Sequence, residues 1–266
     1  MLFEWIARNK YKLMALILGL YLVSDLVQHK GLVRTMLPKK FPGAAPNDIS
    51  SAMTNRIDPP GKSWVKGVNT IGRLKQEAME SPGFECDVYF HLDGNFFDLH
   101  HDAESAGTPR LDSLLDYYQS AGLHSFIWLD FKNMRDSNYR EALGTLIELR
   151  RRFGLERKIL VESGRPDLLN AYADSGFYTI YYPPAFNPYL LSDDSLRYWT
   201  DYIAAKIHNN GINALSGYYY QYRFFEYYFP HQQVLLWAPS DRFSLVNRLF
   251  RWRINGDNRV PVCLYP

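Results

Sequence analysis

After residue 62 the chain alternates between short apolar runs and longer segments whose apolar residues recur at helical spacing. The short runs are typical of strands buried on both faces, and the longer segments are typical of amphipathic helices. We predict eight strands, at 63–69, 84–90, 125–131, 158–163, 177–183, 214–219, 232–238 and 259–266. We predict helices between them, at 70–80, 111–122, 139–154, 165–176, 193–211, 221–230 and 241–256, and an added hairpin arm at 94–102.

Strands that alternate with helices indicate a parallel sheet, because each helix returns the chain to the end where the next strand begins. Eight such units within residues 62–266 predict a closed (β/α)8 barrel, or TIM barrel. The alternative is an open doubly wound sheet. That fold would need a glycine-rich phosphate-binding turn, which the sequence does not show.

The N-terminal region, residues 1–37, contains an unbroken apolar run at 13–23 that is preceded by two lysines. The run is shorter than the roughly 20 residues of a comfortable membrane span, and no small-x-small cleavage site follows it. We therefore expect an uncleaved signal anchor, with the barrel on the periplasmic or extracytoplasmic side of a membrane. The alternative is a helix packed on the barrel. Residues 38–61 contain five prolines and are predicted to form a linker.

Composition narrows the classes of partner. The net charge is +2, so the sequence offers no basic stripe of the kind that binds nucleic acid. Aromatic residues make up 16% of the chain and are dense at 180–191 and 218–229, after the fifth and sixth strands. These stretches either pack helices onto the barrel or line a cleft for a lipid.

Charged side chains occur at the ends of the second and third strands, where barrel enzymes carry their reacting groups. Glu85 and Asp87 share one strand face, and Asp130 and Lys132 share another. Inward carboxylates are costly unless they are paired or bound to a cation. An Asp-x-Lys pair alone is more often a salt bridge, and a Glu-x-Asp pair alone is commonplace. Carboxylates that meet on neighbouring strands, however, are suited to a hard divalent cation, Mg²⁺ or Ca²⁺.

The hairpin arm after the second strand ends in two adjacent histidines, His100 and His101. A His pair in a loop is commonly solvated, but an imidazole near the predicted rim is suited to general acid–base chemistry at neutral pH. Lys132 is suited to hold an anionic oxygen at the same rim.

These residues resemble motifs of the phospholipase-C-like phosphodiesterase superfamily, which includes glycerophosphodiester phosphodiesterases and spider-venom sphingomyelinase D enzymes. The matching motifs are Glu85-Cys86-Asp87, Asp93-Gly94, His101-Asp102 and Asp130-Phe131-Lys132. Within the superfamily, residues 64–135 look most like menorin-like proteins and their bacterial relatives, through the stretches VNTIGRL, FFDLHHD and WLDFKN.

The resemblance implies a (β/α)8 barrel that cleaves a phosphodiester, either in a glycerophosphodiester or in a phospholipid head group. Glu85, Asp87 and Asp130 would bind Mg²⁺ or Ca²⁺, and Lys132 would hold a phosphate oxygen. His101 would act in acid–base chemistry, while counting residues from Glu85 without gaps places that histidine at His100. The residues implied to line the substrate pocket are Asn69, Asn133, Glu162 and Trp237.

The sequence departs from the superfamily pattern at one position. The superfamily carries a first catalytic His at the end of strand one, where this chain has Lys66. Either Lys66 takes an altered catalytic role, or His91 or His100 substitutes, or the barrel is a catalytically inactive module that binds a ligand or a protein. A further alternative is a carbohydrate-active barrel that uses Glu85 or Glu162 with Asp130 as its acid pair.

Overall fold

The computed structural model describes residues 2–37, 39–45, 55–102, 109–208 and 210–266. Its strands are β1 (Ser63–Val65), β2 (Gly83–His91), β3 (Phe96–Leu99), β4 (Phe126–Phe131), β5 (Ile159–Ser163), β6 (Tyr178–Tyr181), β7 (Ala214–Tyr218), β8 (Gln233–Trp237) and β9 (Val262–Tyr265). Its α-helices are α1 (Leu2–Gln28), α2 (Lys30–Met36), α3 (Ile71–Arg73), α4 (Leu111–Ser120), α5 (Tyr139–Arg152), α6 (Pro166–Asp174), α7 (Asp193–His208), α8 (Tyr222–Tyr228) and α9 (Leu245–Asn255).

Eight parallel strands among the described residues close into a barrel, because β1 pairs with both β9 and β2. The remaining strand, β3, lies antiparallel to the end of β2 and forms a hairpin arm above the barrel. The predicted (β/α)8 barrel is therefore confirmed, and so is the hairpin. Residues 38 and 46–54 of the predicted linker lie outside the described residues, and its other residues form neither helix nor strand.

Side chains alternate along each strand between two hydrophobic cores. The inner core fills the barrel and includes Trp64, Trp128, Leu160, Ile180 and Leu235. The outer core lies between the strands and the helices, and most of the aromatic side chains of α8 pack there. The interpretation of the aromatic stretch 218–229 as helix packing is therefore confirmed for α8.

The first β/α unit is shorter than predicted. Strand β1 ends at Val65 rather than at residue 69, because Gly67 adopts a left-handed backbone conformation with a φ of 69° that turns the chain. Thr70 caps α3 as its position predicted, accepting a hydrogen bond from the Arg73 amide. Only one α-helical turn follows, and the segment then continues as a π-helical turn at Leu74–Ala78.

The predicted N-terminal hydrophobic helix is confirmed as α1. Its stretch Asn9–Gln28 has 20 residues, a mean hydropathy of 1.4 and only 6% of its residues buried, so it is long and apolar enough to cross a membrane. The short helix α2 instead packs on the barrel, burying Leu32 and Thr35. Arg223 of α8 donates hydrogen bonds to the carbonyls of Thr35 and Met36 and fixes the end of α2.

Candidate active site at the carboxyl ends of the strands

Three carboxylates meet inside the mouth of the barrel. Asp87 of β2 lies opposite Asp130 of β4 in the parallel register, and Glu85 lies two residues earlier on the same face as Asp87. One carboxylate oxygen from each of the three lies within 4.8 Å of the others. The convergence predicted from the spacing of these residues is therefore present.

Glu85 is buried and accepts a hydrogen bond of 2.6 Å from the Gly67 amide. Burial raises the pKa of Glu85 from 4.5 to about 8, and the charges of Asp87 and Asp130 contribute to the rise. The left-handed turn at Gly67 aims its amide at this carboxylate. A group with such a pKa holds its proton at neutral pH unless a cation stabilises the charged form.

Lys132 neutralises the other two carboxylates. Its Nζ lies 2.8 Å from Asp87 Oδ1 and 2.5 Å from Asp130 Oδ2. Although burial alone would lower the pKa of Lys132, the two carboxylates raise it above its usual value. Lys132 is therefore a fixed positive charge at the mouth of the barrel.

Asn69 holds Asp87 in place. Its Nδ2 donates to Asp87 Oδ2 over 2.7 Å, and its Oδ1 accepts from the Asp87 amide over 2.9 Å. Both ends of the Asn69 side chain are thus used on one residue. The arrangement fixes the orientation of the Asp87 carboxylate, so Asn69 acts as a positioning residue for the carboxylate cluster.

Lys66 and Trp237 form the opposite wall of the mouth. The Lys66 ammonium lies 5.7 Å from the centre of the Trp237 ring, and its charge acts to lower the pKa values of Glu85 and Asp130. Tyr182 and Tyr218 meet the same ring edge-on. Trp237 Nε1 is buried and has no hydrogen-bond partner among the described residues, so it is a donor available to a ligand.

Glu162 of β5 lies opposite Asp130 but is fully buried. Its oxygens accept hydrogen bonds from Trp128 Nε1, at 3.0 Å, and from the Ser216 hydroxyl. Burial raises the pKa of Glu162 well above its ordinary value, and the charge of Asp130 raises it further. Glu162 therefore lies beneath the cluster, and both of its oxygens are taken up by Trp128 and Ser216.

The two candidate histidines differ in their surroundings. His100 is buried, its ring stacks on Tyr89 at 4.1 Å, and its Nδ1 is 2.7 Å from the Asp102 carbonyl. A carbonyl only accepts, so Nδ1 carries the proton and Nε2 of the neutral ring is the basic nitrogen. The side chain of His101 is 64% exposed and pairs with the still more exposed carboxylate of Asp102.

His100 also belongs to a second cluster on the hairpin arm. Donor atoms of His91, Asp98 and His100 lie within 4.8 Å of one another. His91 Nε2 is 2.9 Å from Asp98 Oδ2, and the side chain of His91 is 44% exposed. The end of β2 supplies one imidazole, and the arm supplies the second imidazole and the carboxylate, beyond Glu85 and Asp87 along the strand.

Asn133, which the resemblance implies for the substrate pocket, bonds to the backbone near the end of β2. Its Oδ1 accepts from the Phe90 amide over 2.8 Å and its Nδ2 donates to the Phe90 carbonyl over 3.0 Å. These bonds tie the end of β4 to the end of β2. The side chain therefore supports the rim, and its described hydrogen bonds do not reach the carboxylates.

Three supporting residues did not emerge from the sequence. Tyr89 continues the face of Glu85 and Asp87 along β2, and alternation along the strand could have revealed it. Ser216 and the Gly67 amide could not be found in this way, because their roles depend on the register of distant strands and on a backbone turn.

The carboxylate cluster fits a divalent cation. Its donors are oxygens only, they come from two neighbouring strands, and like charges raise the pKa of Glu85. Hard ions such as Mg²⁺ and Ca²⁺ prefer such donors. The carbohydrate-active alternative, with Glu85 or Glu162 as the partner of Asp130, stays a prediction.

A surface cavity of about 530 Å³ lies elsewhere, on the outer side of the hairpin arm and against α5. None of the three clustered carboxylates lines it. Its lining residues include Asn95, Phe96, Arg110, Glu148 and Arg152. The chemistry of the barrel mouth therefore has no connection with this cavity.

No protein-family model and no curated protein sequence matches the chain. Solved structures do match. The chain is similar to a glycerophosphodiester phosphodiesterase from Parabacteroides distasonis, with 13% identity and a TM-score of 0.56 over 78% of this chain and 93% of that one. It is also similar to a phosphodiesterase from Oleispira antarctica in complex with sn-glycerol-3-phosphate, with 12% identity and a TM-score of 0.51 over 77% and 92% of the two chains.

At these identities the similarity is one of fold. The resemblance to phospholipase-C-like phosphodiesterases drawn from short motifs is matched by the architecture of the whole domain. The likeness to menorin-like proteins in particular stays a prediction. The chain thus shares the (β/α)8 barrel fold of the glycerophosphodiester phosphodiesterases.

Proposed function

We propose that this protein is a metal-dependent enzyme that cleaves a phosphodiester, with its active site at the mouth of the barrel. The observation that carries the proposal is the convergence of Glu85, Asp87 and Asp130 within 4.8 Å, beside the ammonium group of Lys132. A site with three acidic groups and a fixed cation is suited to binding an anion through a metal ion.

Glu85, Asp87 and Asp130 would hold Mg²⁺ or Ca²⁺, which supplies charge to polarise a phosphoryl oxygen. Lys132 would contact a second phosphate oxygen, since its ammonium stays charged and reaches both aspartates. Asn69 keeps Asp87 oriented toward the same point. These residues bind and orient the phosphodiester before any bond is broken.

We assign the acid–base role to His100 rather than to His101. His100 is buried on the hairpin arm, its Nδ1 is fixed on the Asp102 carbonyl, and its Nε2 is left to exchange a proton. The side chain of His101 is mostly exposed. Lys66 replaces the other imidazole of the superfamily and would add positive charge near the leaving or attacking oxygen.

The substrate class we propose is a glycerophosphodiester or a phospholipid head group. The bound sn-glycerol-3-phosphate of the Oleispira antarctica phosphodiesterase supports a small phosphate ester as the ligand of a barrel with this fold. The Trp237 indole would donate its unpartnered Nε1 hydrogen to a substrate oxygen.

We further propose that α1 anchors the protein in a membrane, with the barrel on the extracytoplasmic side. The support is the length, hydropathy and exposure of Asn9–Gln28. An apolar helix exposed on nearly all sides is stable in lipid rather than in water.

The test is a panel of glycerophosphodiesters and phospholipids with added Mg²⁺ or Ca²⁺, comparing the wild type with Asp87→Ala. Asp116→Ala is the matched control, because it removes an exposed carboxylate on the outside of the barrel that pairs with Arg152. We expect turnover by the wild type and the control only. Cleavage at the same background rate with all three proteins would refute the proposed enzyme activity.

The second candidate is a catalytically inactive barrel that binds a phosphorylated ligand or a protein. The observation that favours it is Lys66 in place of the first imidazole. On this reading the wild type would bind sn-glycerol-3-phosphate in the presence of Mg²⁺ but would show no turnover on any substrate in the panel.

A further inference from the structure

Helix α9 carries an apolar stripe that the barrel does not cover. Trp252 is 76% exposed and Leu249 is 56% exposed, and Leu245 precedes them at helical spacing. Phe243, directly before the helix, is 82% exposed. The opposite side of α9 is buried in the outer core, so the exposed side chains have no packing role. We call Phe243, Leu245, Leu249 and Trp252 the α9 stripe.

The end of the candidate membrane helix is attached where the stripe begins. Asp25 of α1 is buried and accepts a 3.0 Å hydrogen bond from the Val246 amide at the start of α9. Tyr21 donates to the Phe243 carbonyl. His29 lies between Asp25, at 3.0 Å, and Asp241, at 3.6 Å. The position of α1 therefore determines how far the stripe lies from a membrane.

The geometry places the stripe at the membrane surface if α1 spans. A helix of 20 residues, the length of Asn9–Gln28, is about 30 Å long, which matches the hydrocarbon thickness of a bilayer. Asp25 and Gln28 then lie at one interface. Val246 is bonded to Asp25 there, and Phe243 lies beside Tyr21, about one turn of α1 from Asp25. Large apolar patches on soluble surfaces are uncommon and mark interaction sites.

Positive charge beside the α9 stripe favours an anionic partner. Arg242 and Arg248 are exposed next to Phe243 and Leu249. A helix that shows Trp, Leu and Phe together with arginines is typical of one that lies in the interface of an anionic membrane. This continuity with α1, together with the positive charge, favours a lipid surface over a second copy of the chain.

The stripe also lies near the catalytic mouth. Strand β8 ends at Trp237, whose ring faces Lys66, and α9 begins eight residues later, at Leu245. Eight residues span at most about 29 Å even when fully extended. A membrane that touches the start of α9 is therefore close to the carboxyl ends of the strands.

We infer that the α9 stripe rests on the surface of a bilayer that contains anionic lipid, with α1 spanning it, so that the barrel mouth is held beside the membrane. The consequence is that the substrate is a phosphodiester of a lipid in the same bilayer. This consequence rests on the proposed function. Water-soluble glycerophosphodiesters would then be poorer substrates.

The test uses the full chain in vesicles of phosphatidylcholine and phosphatidylglycerol. A fluorescent probe is attached through Leu249→Cys, and the matched control is Ile147→Cys. Ile147 is 37% exposed on α5, which follows β4 and lies on the opposite side of the barrel from α9. The native Cys86 and Cys263 are buried, so the introduced thiol takes the label.

We expect a quencher carried on lipid chains to remove more than half of the emission of the Leu249 probe and little of that of the Ile147 probe. Replacing Arg242 and Arg248 with Glu should reduce the quenching at Leu249 in these vesicles. Equal quenching at both positions would overturn the inference. A Leu249 probe that is not quenched would also overturn it. That result would include a stripe covered by a second copy of the chain instead of by lipid.

A second measurement separates the inference from the proposed function. The full chain in vesicles is given either a phospholipid of the same vesicle or a soluble glycerophosphodiester, each with Mg²⁺. Several-fold faster cleavage of the lipid supports the substrate class, and equal or slower cleavage overturns it. Quenching at Leu249 without cleavage of either substrate would refute the proposed phosphodiesterase activity but would support the membrane contact.

Discussion

The charge of Glu85 should destabilise the metal-free protein, and Glu85→Gln should remove this cost. Gln keeps an oxygen that can accept from the Gly67 amide, which lies 2.6 Å from Glu85 Oε2. It removes the negative charge that burial, Asp87 and Asp130 disfavour. The substitution thus separates the charge of Glu85 from its shape.

The magnitude follows from the pKa of Glu85, which rises from 4.5 to about 8 on folding. Between these values the folded protein holds a proton that the unfolded chain has released, so stability falls as the pH rises. At about 1.4 kcal/mol for each pKa unit, the full cost is roughly 5 kcal/mol above pH 8 and vanishes below the unfolded pKa.

The assay is thermal unfolding followed by tryptophan fluorescence, in detergent and without divalent ions, at about pH 5 and about pH 8. At the lower pH we expect the Tm values of Glu85→Gln and the wild type to differ little. At the upper pH we expect the Tm of Glu85→Gln to be about 10 °C higher than that of the wild type. Millimolar Mg²⁺ should raise the Tm of the wild type and have little effect on the variant.

A wild-type Tm that changes with pH no more than that of Glu85→Gln would refute the reasoning, because Glu85 would then ionise at its ordinary pKa. An equal Mg²⁺ effect on both proteins would show that the ion binds elsewhere. A variant that unfolds at lower temperature at every pH would mean that the charged form is stabilised by the fold.

Four further substitutions test the roles assigned at the mouth. Lys132→Met should lower kcat by roughly 10²- to 10³-fold at saturating Mg²⁺, and should lower the Tm of the metal-free chain because it leaves Asp87 without its ammonium partner. Trp237→Phe should raise KM by roughly three- to tenfold with little change in kcat, since it removes one hydrogen bond and keeps the ring. His100→Gln should lower kcat by roughly 10²- to 10⁴-fold, whereas His101→Gln should have little effect; the reverse order would return the acid–base role to His101.

Much of the fold was predictable because strands and helices of a barrel have different apolar periods. The predicted strands other than β1 agree with the observed ones to within a few residues, and the short β3 arm was found from its place after β2. The first unit could not be predicted in detail. The left-handed turn at Gly67, whose amide bonds to Glu85, and the π-helical segment at Leu74–Ala78 leave no signal in the apolar pattern.

The site was predictable where it depends on strand alternation and neighbouring strands. Glu85, Asp87 and Asp130 lie together because parallel pairing of β2 with β4 places residues at the same level of the barrel side by side. Asn133 and Glu162 lie at the predicted strand ends, but the sequence could not show that their polar atoms are taken by Phe90, Trp128 and Ser216. Those hydrogen bonds depend on partners that lie far away in the sequence.

The central claim is that the three carboxylates form one divalent-cation site. Mn²⁺ reports this directly, because binding removes the electron paramagnetic resonance signal of the free ion. The account predicts one bound ion for the full-length wild type and for Asp116→Ala, and none for Glu85→Gln or Asp130→Asn. Unchanged binding in those two variants, or no binding by the wild type, would contradict it.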